Sequence, residues 1–152
     1  MSKAIITMGL PGSGKSYVVN KLHTHLPVCD CDVFKALHPE YNPDKPELVH
    51  DWSKKCMMHM LEIMIESGDS FIYDSTGTDI TFIEGLITKL IQSGYEVELL
   101  HVYVSIETAL VRNSTRERKV PEHIIHSKAT QLDKAFTMLS QKVHTVTTVI
   151  ND

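Results

Sequence analysis

Glycines at 9, 12 and 14, followed at once by Lys15 and Ser16, give the stretch Gly9-Leu10-Pro11-Gly12-Ser13-Gly14-Lys15-Ser16. Its spacing, G-x-x-x-x-G-K-S, is that of a phosphate-cradling P-loop. Glycine adopts backbone angles that a Cβ forbids, so successive N–H groups can turn inward as an anion nest at the start of a helix, where the dipole is positive. Lys15 supplies a point charge for the β and γ phosphates, and Ser16 a hydroxyl for Mg²⁺. A turn that holds no ligand has no need of the Lys-Ser pair. Gly9, Gly12, Ser13, Gly14, Lys15 and Ser16 therefore read as a site for ATP, or another nucleoside triphosphate, with Mg²⁺.

Three other polar stretches carry groups that phosphoryl transfer uses. Asp32 can accept the proton of an attacking hydroxyl. Lys35, one helical turn on, can hold a phosphate of the acceptor. Spacing alone also fits a solvated helix start with a surface lysine. Asp74 ends an apolar run one step before Ser75-Thr76-Gly77-Thr78. An acid there serves Mg²⁺ or an arginine, and Thr76 and Thr78 can bind the acceptor, although Thr78 or Asp79 can equally cap the next helix. Arg112, Arg116 and Arg118 lie in Arg112-Asn113-Ser114-Thr115-Arg116-Glu117-Arg118-Lys119-Val120-Pro121. Arginines brought in by a mobile segment neutralise the charge of a migrating phosphoryl group and exclude water. Arg112 and Arg116, four apart, share a helix face. Alone the run fits a solvated charged surface; after a fourth strand it reads as a lid over about residues 112–121.

Five apolar or β-branched runs, near residues 3–8, 27–30, 70–74, 95–104 and 144–150, read as strands. Helical spacing follows the P-loop through Val18, Val19, Leu22 and Leu26. A short apolar turn is expected through Val33, Phe34 and Leu37, then a proline-rich loop over 38–46. A helix over 47–67 is expected to bury Val49, Trp52, Cys56, Met60 and Met64, and one near 82–91 to bury Phe82, Ile83, Leu86, Ile87, Leu90 and Ile91. Ser105 reads as an N-cap. Pro121 reads as the first residue of a last helix with Ile125, Ala129, Leu132, Phe136, Leu139 and Val143 on its core face. Strands alternating with helices imply an α/β fold in three layers, α/β/α, around a five-stranded parallel sheet. Ligands of such sheets sit at the carboxyl ends of the strands, where all four polar stretches fall.

The 152 residues suit a single domain spanning 1–152. The net charge of −4 argues against a broad duplex-binding surface while leaving room for a local basic pocket. No apolar run is long enough to span a membrane, and the N-terminus lacks a basic-then-apolar signal, which suggests the cytoplasm. Cys29, Cys31 and Cys56 are then expected to be reduced thiols. His123 and His126 are three apart, but no third ligand is evident near them, so no metal is assigned to histidine.

With these residues in view, the chain resembles the polynucleotide 5′-hydroxyl kinase and zeta-toxin-like branch of P-loop kinases. The likeness rests on the P-loop, Asp32-Val33-Phe34-Lys35, Ile72-Tyr73-Asp74-Ser75-Thr76, and Arg112-Asn113-Ser114-Thr115-Arg116 through Val120-Pro121. It implies that Lys15 and Ser16 hold the donor phosphates and Mg²⁺, and that Asp32 is the general base. It implies further that Asp74 organises the site, that Arg116 is the lid arginine and that Arg112 assists it. Lys35 stands where the family often has an acceptor-binding arginine; an ammonium lacks the planar fork. Some relatives add a phosphatase domain, whereas these residues read as the kinase domain alone.

The function expected is transfer of the γ-phosphate of ATP to a hydroxyl, the acceptor being the 5′ end of a nucleic acid, DNA or RNA, or a nucleotide-like molecule. A nucleoside or nucleotide-sugar kinase of the same fold is an alternative. A GTP-dependent switch is a second class, since Asp74-Ser75-Thr76-Gly77 fits D-x-x-G and Thr130-Gln131-Leu132-Asp133 nearly fits a guanine-reading signature. The latter falls inside an amphipathic helix, and a switch has no use for the arginine run.

Overall fold

The computed structural model describes residues 1–152 apart from Thr24, Pro43 and Arg118, and apart from the side chain of Pro46. In chain order the elements are β1 (Lys3–Met8), α1 (Lys15–Leu22), β2 (Val28–Cys29), α2 (Cys31–Leu37), a 3-10 turn at Pro46–Val49, α3 (His50–Ser67) and β3 (Phe71–Tyr73). There follow α4 (Ile80–Gln92), β4 (Glu96–Tyr103), α5 (Ile106–Ser114), α6 (Glu122–Leu139) and β5 (Thr145–Ile150). The strands form one sheet in the order β2-β3-β1-β4-β5, with every pairing parallel.

A parallel sheet is covered on both faces, so its central strands β1 and β3 are buried almost throughout. Along β1, Ala4, Ile6 and Met8 enter one core with α3, α4 and α6. Ile5 enters the other, with Val18 and Val19 of α1 and with Ile72, Leu100 and Val102. Helix α1 therefore lies on one face, while α4, which follows β3, packs in the core of the other. The neighbouring strands β1 and β3 thus send their chains to opposite faces, and a crevice opens at their carboxyl ends.

The sequence expectations hold for the five strands and need revision at four helices. Residues 33–37 belong to a helix, α2, not to a turn. On α3 the buried stripe is Ser53, Met57, Leu61 and Met64. Of the residues expected there, Val49 and Met64 are buried, but Trp52 is 41% exposed and packs its ring against His38. The misleading residue is Ser53, a polar side chain on the core face. Its hydroxyl donates to the His50 carbonyl at 2.8 Å and lies 3.3 Å from Cys31 Sγ, so it is satisfied there. On α4, Ile83, Leu86, Ile87 and Leu90 are buried, whereas Ile91 is 42% exposed. Pro121 precedes α6 instead of opening it, and Ala135 joins Ile125, Leu132 and Leu139 on its buried face. Ser105 caps α5 as expected, accepting from the Thr108 N–H.

Candidate active site

The P-loop connects β1 to α1 across the crevice. Gly12 and Gly14 take left-handed φ values of 86° and 82°, and a Cβ at Gly12 would sit 2.8 Å from the Ala109 carbonyl oxygen. The Gly9 N–H donates to the Thr76 carbonyl and the Ser13 N–H to the Leu10 carbonyl, each at 3.0 Å. Ser13 is fully buried, and its Oγ has no hydrogen-bond partner among the described residues. Gly9 and Ser13 therefore shape the loop from beneath. Gly12, Gly14, Lys15 and Ser16 line a cleft of about 1050 Å³. Helix α1 has no side-chain cap, so its first-turn N–H groups are left for a ligand.

Lys15 folds back on its own loop, Nζ donating to the Gly9 carbonyl at 2.9 Å and the Leu10 carbonyl at 3.4 Å. Burial lowers the pKa of this ammonium; Asp74 opposes the shift, and the Arg116 charge adds to it.

Opposite the loop stand three carboxylates. Asp74, just past β3, accepts from Thr7 Oγ1 at 2.7 Å. Thr7 is fully buried, and its hydroxyl also receives the Ser75 N–H at 3.0 Å. The position of Asp74 is thus tied to β1 beneath the P-loop. Asp30 caps α2 by accepting from the Asp32 N–H at 2.9 Å, and it lines the same cleft as Asp74. Burial, reinforced by the charges of Asp74 and Asp32, pushes the Asp30 carboxyl up to about 6. Asp32 stands on the first turn of α2 at the cleft wall, with Lys35 Nζ 3.6 Å from its Oδ1. Thr76 lines the same cleft.

The arginine segment meets the cleft from the far side. Arg112 reaches the Gly12 and Ser13 carbonyls through Nη1 at 3.4 and 3.3 Å, and the Asn151 carbonyl through Nη2 at 2.6 Å. Asn151 Nδ2 donates to the Ser13 carbonyl at 2.8 Å. Arg112 therefore grips the carbonyl side of the P-loop. Arg116, exposed in the loop after α5, lines the cleft; Arg118 lies outside the described residues. Asn113 is buried; its Nδ2 donates to the Val120 carbonyl at 2.6 Å and its Oδ1 accepts the Val120 N–H at 2.8 Å, closing the base of the loop. The near-guanine signature at 130–133 lies within α6 with Leu132 buried, away from any strand end.

Sequence reasoning missed Asp30, Asn113, Asn151, Lys54 and Lys128. Asp30 carried a signal, since an Asp immediately before a helix start is a cap by type, and Asn113 stood in the Arg-Asn-x-x-Arg run that carries the resemblance. The others are solvent-type residues on helices or past the last strand, and spacing says nothing about what they reach.

The donor set suits Mg²⁺. Ser16 offers a hydroxyl, and Asp74 offers a carboxylate lining the same cleft. Among the described residues no three acidic, histidine or cysteine side chains form a group that could hold a metal ion. Mg²⁺ asks for no such cage, since it keeps waters and binds substrate phosphates.

Residues 2–152 match the Zeta toxin family. The chain belongs to that family. No curated protein sequence matches it. Among solved structures, the fold is similar to one from the PezAT chromosomal toxin-antitoxin system of Streptococcus pneumoniae. The TM-score is 0.82 at 17% identity, over 100% of this chain and 70% of that one. A sugar kinase from Janibacter sp. HTCC2649 gives 0.62 at 19% identity, over 99% and 86%. The Pnkp1/Rnl/Hen1 RNA repair complex gives 0.71 at 16% identity, over 90% and 46%. This Zeta toxin family chain therefore has a nucleotide-binding P-loop fold of the kinase kind. No helix among its described residues is long and apolar enough to cross a membrane.

Proposed function

We propose that this Zeta toxin family chain is an ATP- and Mg²⁺-dependent kinase that phosphorylates a hydroxyl, the 5′-hydroxyl of a nucleic acid or a nucleotide-like molecule, and that residues 1–152 form one kinase domain working in the cytoplasm. One observation carries the reading: the uncapped start of α1 with Lys15, and the carboxylates of Asp30, Asp32 and Asp74, line a single cleft. The amides of the loop and Lys15 hold the donor phosphates. A phosphate oxygen offers Lys15 a stronger acceptor than the carbonyls it now uses, because the bond becomes charged on both sides. Ser16, with Asp74 on the facing wall, would hold Mg²⁺, which supplies charge neutralisation at the phosphates. Asp32 takes the proton of the acceptor hydroxyl. Lys35 and Thr76 steady the acceptor. Arg116 closes over the transferring group as residues 112–121 act as a lid, and Arg112 holds the loop beneath it.

The RNA repair complex among the structural relatives supports a nucleic-acid end as acceptor, and the sugar kinase supports a small molecule. Labelled ATP or GTP, supplied with hydroxyl-ended oligonucleotides, nucleosides and nucleotide sugars, tests the proposal. Label on one acceptor class is the expected result; label released only as free phosphate, from GTP alone, would return the chain to the switch class.

A further inference from the structure

The sheet ends at β5, which pairs with β4 alone. Its six residues, Thr145-Val146-Thr147-Thr148-Val149-Ile150, are all β-branched, and none is charged, glycine or proline. The outer N–H and C=O groups of an edge strand are a template for another strand, and proteins commonly blunt the edge with lysine, proline, a bulge or a covering segment. Lysine and proline are absent from this strand, and its register with β4 runs unbroken from Thr145 to Ile150. Among the described residues no main-chain bond ties it to any segment but β4. Thr145, Thr147 and Val149 are half-buried, Val149 against the core on the α1 face. Val146, Thr148 and Ile150 turn to the other face and are exposed, Val146 by 40% and Ile150 by 72%.

Side chains that oppose each other across an antiparallel pair share a face, so a copy of β5 can add only in registers that keep odd residues with odd and even with even. One such register matches the whole strand. With Thr148 opposite its own counterpart, Val146 faces Ile150 on both sides of the axis, Thr147 faces Val149, and His144 faces Asp152. Threonine pairs and pairs of β-branched apolar residues are contacts that stabilise a sheet. His144 accepts the Val97 N–H on Nδ1 at 3.0 Å, which leaves its Nε2 N–H to donate to the opposing carboxylate. Lys142 and His144 precede the strand and Asp152 follows it, so antiparallel pairing brings basic end to acidic end. Sliding the copy by two residues sets Val146 against Thr148 or Asp152 and loses the match. We propose that β5 is a self-complementary edge through which two copies of this chain pair about a two-fold axis at Thr148, joining their sheets. The inference does not depend on the kinase reading. Two edges of this length cover less than the roughly 1,600 Å² of a standard interface, so the dimer is expected to be reversible, with a Kd in the micromolar range.

Sedimentation velocity on the chain, from low-micromolar to millimolar concentration, reads the pairing. A reversible monomer–dimer equilibrium is expected. Thr148→Lys sets two ammonium groups face to face on the axis and should weaken the dimer about tenfold or more. Val146→Lys and Ile150→Glu should each weaken it as single changes. Combined, they place each new ammonium opposite a new carboxylate, and the double variant should regain most of the loss. All three positions are exposed, so the variants should keep the parental circular dichroism; if Thr148→Lys does not, Thr148→Asp replaces it. A monomer at every concentration, or a dimer that the Thr148 variant leaves at parental strength, overturns the proposal. A double variant that dimerises no better than the single ones overturns the register centred on Thr148.

Discussion

The side chain of Asn113 takes both main-chain polar groups of Val120, its amide donating at 2.6 Å and its carbonyl oxygen accepting at 2.8 Å. The six intervening residues of chain, Arg116 among them, are thereby closed into a loop whose two ends are held by one buried side chain. Asn113→Ala leaves both Val120 groups unsatisfied at the base of the loop. The expected loss is about 1–3 kcal/mol in chemical denaturation. In transfer assays kcat should fall further than ATP affinity, since the role proposed for Arg116 falls late in the reaction. A variant with parental stability and kcat would separate this clasp from the work of Arg116.

Lys15→Ala removes the only side-chain ammonium on the P-loop. Far-UV circular dichroism should be unchanged, since the helix start it leaves is built by Gly12 and Gly14. Transfer should drop at least about a hundredfold, as for loss of a group aimed at developing charge. Parental turnover would contradict the assignment.

Asp32→Asn keeps the size of the side chain and its place on the first turn of α2 while removing the proposed proton acceptor. ATP affinity, measured by titration, should stay near the parental value, and transfer should fall by about 10²–10⁴. Transfer that survives would move the base elsewhere, with Asp30 next in line.

The Asp30 carboxyl ionises near pH 4 in an unfolded chain and at about 6 in the fold. The unfolded chain releases its proton first, so Asp30 favours the folded state most below about pH 4, and that advantage is lost as pH rises through about 6. Asp30→Asn can still cap α2. It should melt a few degrees above the parent at pH 7.5 and close to it near pH 4. An equal shift at both pH values would show that the effect is not electrostatic.

Arg112→Lys tests the grip on the carbonyl side of the P-loop. A single ammonium cannot reproduce the planar fork that spans the Gly12, Ser13 and Asn151 carbonyls. Roughly tenfold weaker ATP binding is expected, with kcat at saturation less affected. The reverse pattern would place Arg112 over the transferring phosphate.

Much of the site was legible because its motifs are local. A P-loop needs its glycines at fixed offsets to reach left-handed angles, so Gly12 and Gly14 announce themselves. Asp32 and Asp74 were found because a parallel sheet puts every strand end on one rim. The α3 stripe was misjudged because a serine on the core face, satisfied by His50 and Cys31, breaks the apolar pattern that periodicity relies on. Asn151 was invisible because its partner, Ser13, lies almost the whole chain away.

What the sequence determined alone is the order of strands and helices and the phosphate cradle, since both follow from backbone requirements within a few residues. Tertiary structure decided which charges share the cleft. Whether a lysine on α6 meets Thr78, or an aspartate before α2 lines the same cleft as one after β3, depends on how distant elements pack against the sheet, and no local spacing records that distance.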